Sequence, residues 1–365
     1  MFQNHLLRSI PLLLLTFLLG QNRPMTLAAE PAADPTNARH QALAAEYSAA
    51  RKGLSVLVRV DNKEVFSAYA NGGGKDRAHE LASGTKSFNG VMAAAAIQDG
   101  LIKSWDEKVS DTIIEWQGDA AKQDITLRHL LSLTSGMGGG AIGRVPTFAD
   151  AIQTPIRFEP GVRFQYGPAP FQTFGEVMRR KLKDKNETPL DYLQRRIFKP
   201  IGLEVAHWRK GQDGMPHLPS GAHLTATEWA KFGELIRAGG TWNDEVVVKQ
   251  ALLDECFIPV KANPSYGLTW WLAGAANGQR EALFPALARL TNRKDELPKL
   301  RVPDLVQAAG AGNQRLYISR ELKLVVVRQA GGILEALGGR DETGWSDREF
   351  LARLLYGTDA AGNKL

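Results

Sequence analysis

The sequence has little of what staples or metallates a small protein. One cysteine, Cys256, stands in 365 residues, which excludes an internal disulfide and a cysteine-built zinc cluster. The seven histidines never take the His-Glu-x-x-His spacing of a zinc peptidase, and no carboxylate series has the spacing of a calcium loop. Neither a metal nor a cofactor is implied. Charge of one sign is not massed anywhere: 45 basic against 39 acidic residues leave a net +6, scattered along the chain. The basic stripe of a nucleic-acid binder is missing. Internal repeats and low-complexity tracts are absent too, so disordered, collagen-like and coiled-coil readings fail. Gly72-Gly73-Gly74-Lys75 lacks the earlier glycine and the following Ser or Thr of a phosphate loop, and reads as a turn after a strand. The Gly-x-Ser-x-Gly elbow is also missing, which argues against a Ser-His-Asp triad.

What is present is ordinary globular material, 44% hydrophobic and 23% charged, long enough for one large domain or two smaller ones. Long apolar runs occur once. Residues 1–29 carry Arg8, then the stretch Ile10 to Leu19, then the small residues Ala28 and Ala29, the three-part layout of a secretory signal peptide. The apolar stretch is about half the ~20 residues a membrane-spanning helix needs, so no stable membrane span is expected after its removal. The expected mature chain, 30–365, is periplasmic or secreted.

Within it, Ala32 to Arg51 reads as a helix, followed by Leu54–Val60, an Asp61-Asn62 turn and Glu64–Tyr69 as a β-hairpin. Near the other end, Arg315–Ile318 and Leu322–Arg328 form a second strand pair. A helix follows with Phe350, Leu351, Leu354 and Leu355 on one face. The middle is different, with helical periods at Leu127–Leu133, Phe171–Leu182, Leu190–Phe198 and Thr227–Ala238. Sheet-forming ends around a helical middle predict an α+β body: an antiparallel sheet flanked by helices, a mainly helical lobe at roughly 105–260, and a cleft between them. The polar stretch 276–304 reads as an inserted surface segment.

The chemistry is expected at Ser83-Gly84-Thr85-Lys86. Phe88, Val91, Met92, Ala95 and Ala96 repeat at three and four, so a buried helix starts about here and runs to Asp99-Gly100. Ser83 and Lys86, three apart, then share the face of its first turn. A serine hydroxyl is a weak nucleophile until a base takes its proton, and a lysine serves as that base only when burial or a helix dipole lowers its own pKa. The same turn offers the Ser83 N–H to a developing oxyanion.

Alone, Ser-x-x-Lys is common by chance, but other segments agree with it in order and spacing. They are Ile125 to Gly136 with its Leu130-Leu131-Ser132-Leu133-Thr134-Ser135-Gly136, Pro160 to Tyr166, Ser220 to Ala226 with Trp229 to Gly233, Tyr266 to Trp271, and Gly310-Ala311-Gly312-Asn313-Gln314. Together they resemble the serine β-lactamase and penicillin-binding protein superfamily. The match is to its class C β-lactamase-like branch, which also contains esterases and D-amino-acid peptidases, and it covers nearly the whole mature chain.

The resemblance implies a β-lactamase-like fold and a catalytic set of Ser83, Lys86 and Tyr166, the tyrosine of the family's Tyr-x-Asn element acting as phenolate base or proton relay. Here the third position is Pro168, which has no amide to bind the acyl side chain of a β-lactam. The family's Lys-Thr-Gly or His-x-Gly strand is matched nearest by Gly310-Ala311-Gly312 or Ala311-Gly312-Asn313, without the cation. Small residues there still permit a backbone N–H, from Asn313 or Gln314, to complete an oxyanion hole, and Trp270 or Trp271 to line the cleft. His129 and His223 are expected to fix loop or helix ends. The function expected is an exported serine hydrolase working through an acyl-serine on a small-molecule ester, amide or peptide. A D-alanyl peptidase or weak β-lactamase on peptidoglycan peptides is the first alternative, and a catalytically silent envelope binding protein the second.

Overall fold

The structure, a computed structural model, describes residues 32–138, 140, 143–272, 302, 304–340 and 343–365. The expected signal peptide lies outside the described residues, as does the 276–304 insert apart from 302 and 304. In chain order the elements are α1 (Ala38–Ala49), β1 (Gly53–Val60), β2 (Lys63–Tyr69), β3 (His79–Glu80), a 3₁₀ turn (Ala82–Lys86), α2 (Ser87–Gln98), α3 (Leu127–Leu131), α4 (Phe148–Ile152), α5 (Ala169–Lys181) and α6 (Pro189–Leu193). Then come β4 (His207–Trp208), β5 (Ala222–Leu224), α7 (Ala226–Arg237), β6 (Thr241–Trp242), β7 (Glu245–Val246), α8 (Gln250–Asp254), β8 (Trp271–Leu272), β9 (Val306–Gly310), β10 (Gln314–Ser319), β11 (Leu324–Ala330), α9 (Ile333–Leu337) and α10 (Asp347–Tyr356).

Both chain ends build one antiparallel sheet in the order β2-β1-β11-β10-β9-β8. The first hairpin forms because Asp61 and Asn62 accept positive φ, 49° and 63°, as a tight mirror-image turn requires. β11 is buried along its whole length, and its near-continuous Leu-Val-Val-Val run fits a strand covered on both faces. One face carries Val326, Val58 and Tyr317 under Tyr47 of α1 and Phe350, Leu351, Leu354 and Leu355 of α10. The other carries Leu57, Val325, Val327 and Leu316 under α7, whose Trp229, Phe232, Leu235 and Ile236 are fully buried. Each such side chain contributes about 1.5–3 kcal/mol by leaving water. Gly233 lets α7 come that close: a Cβ there would stand 2.6 Å from Val325 Cγ1.

The helical middle is shorter and more broken than the periodicity predicts. α3 stops at Leu131 because Leu133 turns to a φ of 61°, and the 190–198 period divides into α6 and a π turn over Gln194–Phe198. α7, expected in the helical lobe, packs on the sheet instead, since its apolar face matches the covered face of β10 and β11. α2 is buried from Ser87 to Ala96 on every side, as a helix apolar all round must be. It shares one core with the sheet residues and with Phe171, Phe174 and Val177 of α5. Among the described residues no helix is long and apolar enough to cross a membrane.

Candidate active site

The site grows from the entry to α2. Ala82 has a φ of 46°, a left-handed conformation that costs a residue with a Cβ about 1–2 kcal/mol. It turns the chain from β3 into the 3₁₀ turn. In that turn three residues make one revolution, so positions three apart eclipse. Lys86 thus stands directly over Ser83, closer than the α-helical turn expected from the sequence would bring it. Four anchors hold the turn. Leu81 N–H donates to Ala222 O at 2.9 Å, Ala222 N–H to Thr85 Oγ1 at 3.2 Å, and Thr85 Oγ1 to Ala82 O at 2.8 Å. Below it lies Trp229, 2.9 Å from where a Cβ on Gly84 would be.

Lys86 Nζ donates to Ser83 Oγ at 2.9 Å and to the Pro219 carbonyl at 3.0 Å. Its nearest aromatic faces are Tyr166, 4.7 Å from Nζ to ring centroid, and Phe171, 5.5 Å. The lysine is buried while Ser83 stays partly open. Ring faces favour a cation slightly, but desolvation outweighs them and brings the amine down to about 7. Tyr166, half-buried, shares a hydrogen bond with Ser83. Burial pushes its phenol up to about 12, against that bond and the positive charge of Arg315. The two groups flanking the serine are therefore poised apart, an amine that sheds its proton near neutrality and a phenol that keeps it.

The Pro219 carbonyl is an acceptor the sequence does not announce. It is presented by a segment pinned on both sides: Asn89 Nδ2 donates to Leu218 O at 3.0 Å and to Lys86 O at 3.1 Å, and Leu218 N–H donates to Gln172 Oε1 at 3.0 Å. Asn89 and Gln172 are the positioning residues that sequence reasoning passes over, since each looks like an incidental polar residue on an apolar helix.

β9 runs beside this turn, and Gly310 is its point of closest approach: a Cβ there would meet Leu81 O at 2.1 Å and Gly84 N at 3.1 Å. That shifts the expected register. If the family's strand glycine is the one that must lack a Cβ, it is Gly310, and Ala308 and Ala309 occupy the two places before it. The amide that follows is that of Ala311. Asn313 and Gln314 are not so placed. Gln314 is the ladder partner of Gly310, and its buried side chain donates to Ala311 O and Gly312 O, both at 3.3 Å, and to Ala330 O at 2.6 Å, while accepting from Ala330 N–H at 3.0 Å. Asn313, with Gly312 at the hairpin tip, gives its carbonyl to Arg328 and its side-chain amide to Thr343. Gly312 faces Ile333. These three shape the hairpin that holds the Ala311 amide.

The tryptophans resolve in favour of the second. Trp270 is 0% exposed and stacks on Phe232 at 6.1 Å, so it belongs to the core and the expectation that it lines the cleft is corrected. Trp271, the next residue and the first of β8, is only partly buried and stacks on Tyr166 with centroids 6.0 Å apart. His129 closes a capping box with Thr126, as expected of a helix-end residue, and His223 Nδ1 reaches the Gly221 carbonyl.

A serine hydrogen-bonded by a buried lysine one turn on, with a tyrosine on its other side, beside an antiparallel sheet, is the arrangement of the serine β-lactamases and penicillin-binding proteins. The model of the family described as Beta-lactamase matches residues 40–330. The chain belongs to that family and is a serine hydrolase of the β-lactamase type. Among solved structures it is similar to EstCE1, described as a hydrolase with promiscuous acyltransferase activity (14% identity, TM-score 0.65, 88% of this chain and 99% of that one). It is also similar to a penicillin-binding protein homologue from Caulobacter crescentus (14%, 0.62, 85% and 97%) and to a penicillin-binding protein from Bacillus halodurans (15%, 0.56, 83% and 98%). At these identities the likeness is one of fold. No curated protein matches the chain by sequence.

Proposed function

We propose that the protein is an exported hydrolase that cleaves a carboxylic ester or small amide through an acyl-Ser83 intermediate. The observation that carries the reading is Lys86 Nζ at 2.9 Å from Ser83 Oγ in a buried site with no carboxylate partner among the described residues. Once neutral, the amine accepts the hydroxyl proton as Oγ bonds to the substrate carbonyl carbon. The carbonyl oxygen takes the negative charge and lies against the N–H of Ser83, which precedes the first hydrogen bond of its helix, Gly84 N–H to Leu81 O, and against the N–H of Ala311. Collapse expels the alkoxide or amine, which receives a proton from the Tyr166 phenol, and the phenol is refilled from the lysine. Water then enters and gives a proton to the same base as its oxygen bonds to the acyl carbon, and the base returns that proton to Ser83 Oγ as the C–Oγ bond breaks and the acid leaves. Tyr166 acts as relay and not as standing phenolate, because its proton is held up to about 12.

An ester or small amide is favoured over a β-lactam by Pro168, which brings no amide to the acyl side chain, and by Ala308 and Ala309, which bring no cation to a substrate carboxylate. Export rests on the apolar stretch after Arg8 and is tested by N-terminal sequencing of protein recovered from a bacterial periplasm. The enzyme reading is tested by intact-mass measurement after exposure to a fluorophosphonate, a p-nitrophenyl ester and a penicillin, with Ser83→Ala as control. Adducts with the first two alone support it. A penicillin adduct promotes the cell-wall peptidase or β-lactamase alternative, and no adduct with any of them leaves the binding protein.

A further inference from the structure

Two arginines meet on the sheet behind the hairpin that carries the Ala311 amide. Arg315 of β10 and Arg328 of β11 stand directly opposite each other in the ladder, two residues from Tyr317 and Val326 and so on the face that α1 and α10 cover. Arg328 is wholly buried, and the Arg315 side chain is nearly so. Arg328 donates from Nε to Ser48 Oγ at 3.0 Å, from Nη2 to Arg51 O at 2.7 Å and from Nη1 to Asn313 O at 2.8 Å. Arg315 grips Asp347, the first residue of α10, with Nε on Oδ1 at 2.7 Å and Nη2 on Oδ2 at 3.3 Å. Asp347 accepts from Tyr317 Oη and Trp345 Nε1 as well. The third nitrogen of Arg315, Nη1, donates to Gln314 O at 2.9 Å and to Gly310 O at 3.3 Å.

Like charges opposite each other in a sheet repel, and guanidinium groups withdrawn from water are costly even when paired. Stability alone would favour apolar side chains at both places, so what the pair secures is read from its acceptors. Three of them, the carbonyls of Gly310, Asn313 and Gln314, belong to the one hairpin whose tip bends through positive φ at Gly312 and Asn313. Gly310 O and Ala311 N–H are moreover the two ends of a single peptide unit. No peptide bond among the described residues is cis, so that unit is planar and trans and its N–H points opposite to its carbonyl. A donor that fixes Gly310 O on one side therefore fixes the direction of the Ala311 N–H on the other, and by drawing charge to the oxygen it strengthens that N–H as a donor. Resting on the reading that Ser83 is the nucleophile and that the Ala311 amide meets the oxyanion, we infer that Arg315, held by Asp347, is a positioning residue for acyl transfer. It aims and polarises the Ala311 N–H through the far end of the same peptide, while Arg328 pins the other side of the hairpin through Asn313 O.

The test compares 4-nitrophenyl benzoate with O-4-nitrophenyl thionobenzoate, which presents sulfur where the oxyanion forms. Sulfur accepts hydrogen bonds poorly, so the oxo ester draws on the Ala311 amide far more than the thiono ester does. In Arg315→Met, kcat/KM for the oxo ester falls by about tenfold or more and for the thiono ester by less than about threefold, so their ratio collapses. A substitution that merely loosened packing, or changed the field at Tyr166, would slow both esters alike. Arg315→Lys keeps a cation beside Asp347 and the side chain's bulk, but one nitrogen replaces the fork, and the same collapse is expected. Urea unfolding and fluorophosphonate titration of Ser83 give the folded and competent fractions of each protein. An oxo-to-thiono ratio that stays at the wild-type value in Arg315→Lys, or a wild-type ratio no higher than that of hydroxide-driven hydrolysis, would overturn the inference. The two readings stay separable: labelled Ser83 with an unchanged ratio sinks this inference alone, and a wild type that neither labels nor turns over ester sinks the hydrolase reading beneath it.

Discussion

Replacing Lys86 with methionine tests the buried amine at its root. The substitution keeps the side chain's approximate length and removes its charge, so the packing around it is retained. In the unfolded chain the amine titrates at its ordinary 10.5, and in the fold burial lowers it to about 7. Between those values the unfolded state holds a proton that the folded state has shed, so wild-type stability climbs with pH by about 1.4 kcal/mol per pH unit. Below 7 both states are protonated, the fold encloses a cation, and that contribution is at its minimum. Lys86→Met has no such dependence. Loss of the contacts to Ser83 Oγ and Pro219 O shifts its stability by a constant ~1–3 kcal/mol, which cancels when only the change with pH is compared. From pH 6 to pH 9 the wild type should therefore gain about 2.5 kcal/mol on the variant. Urea unfolding of both proteins across that range reads the difference directly. Parallel profiles would mean an amine that titrates as it does in water, and the proposal of lysine-assisted acyl transfer would fall with it.

The same amine sets the rate profile: kcat/KM for a neutral ester should rise to a plateau with a midpoint near 7, with no descending limb through pH 10, because the Tyr166 proton is held up to about 12. Stopped-flow acylation over that range checks it. Tyr166→Phe removes the hydroxyl but keeps the ring on Trp271, and should slow acylation by about 10²–10⁴-fold without lowering the melting temperature appreciably; a change under about threefold would remove the tyrosine from the proton path. Gly310→Ala places a methyl 2.1 Å from the Leu81 carbonyl, parting β9 from the serine turn, with an expected loss of about 100-fold in kcat for one misplaced oxyanion donor. Trp270→Ala should destabilise by about 3–5 kcal/mol, whereas Trp271→Ala should leave stability much nearer wild type and raise KM. Calorimetry and steady-state kinetics on the pair separate core from cleft.

How far the molecule can be read before folding depends on what kind of cause sits at each position. The Asp61-Asn62 turn is legible because its backbone requirement is met by side chains that announce it. The face of α10 is legible because Phe350, Leu351, Leu354 and Leu355 repeat at helical spacing. Ser83 and Lys86 are legible as a pair because positions three apart share a face in either helix type. Which type is not, since the left-handed Ala82 that starts the 3₁₀ turn is imposed by β3 and β5 and carries no mark in an alanine. Which of Trp270 and Trp271 enters the core is not legible, because it is decided where β8 pairs with β9 across residues distant in sequence. The strand register fails for the same reason: Ala308 to Gly312 is a run of small residues, and only the approach of Leu81 O singles out Gly310.

Those failures have one source, and it bears on the chemistry. Each feature the sequence hides is a contact between segments far apart in the chain: Ala222 on Leu81, Trp229 under Gly84, Pro219 on Lys86, Gly310 on the serine turn. Each also holds the turn in a state it would not adopt alone, with a strained Ala82 and an amine kept from water. A local peptide with the sequence Ser-Gly-Thr-Lys would relax both, leaving a protonated lysine and an unreactive hydroxyl. Reactivity at Ser83 therefore belongs to the sheet, α5, α7 and the 217–222 segment jointly. A substitution that loosens any of these should raise the Lys86 pKa toward that of a free amine before it unfolds the protein, and so move the midpoint of the rate profile upward while the folded fraction is still complete.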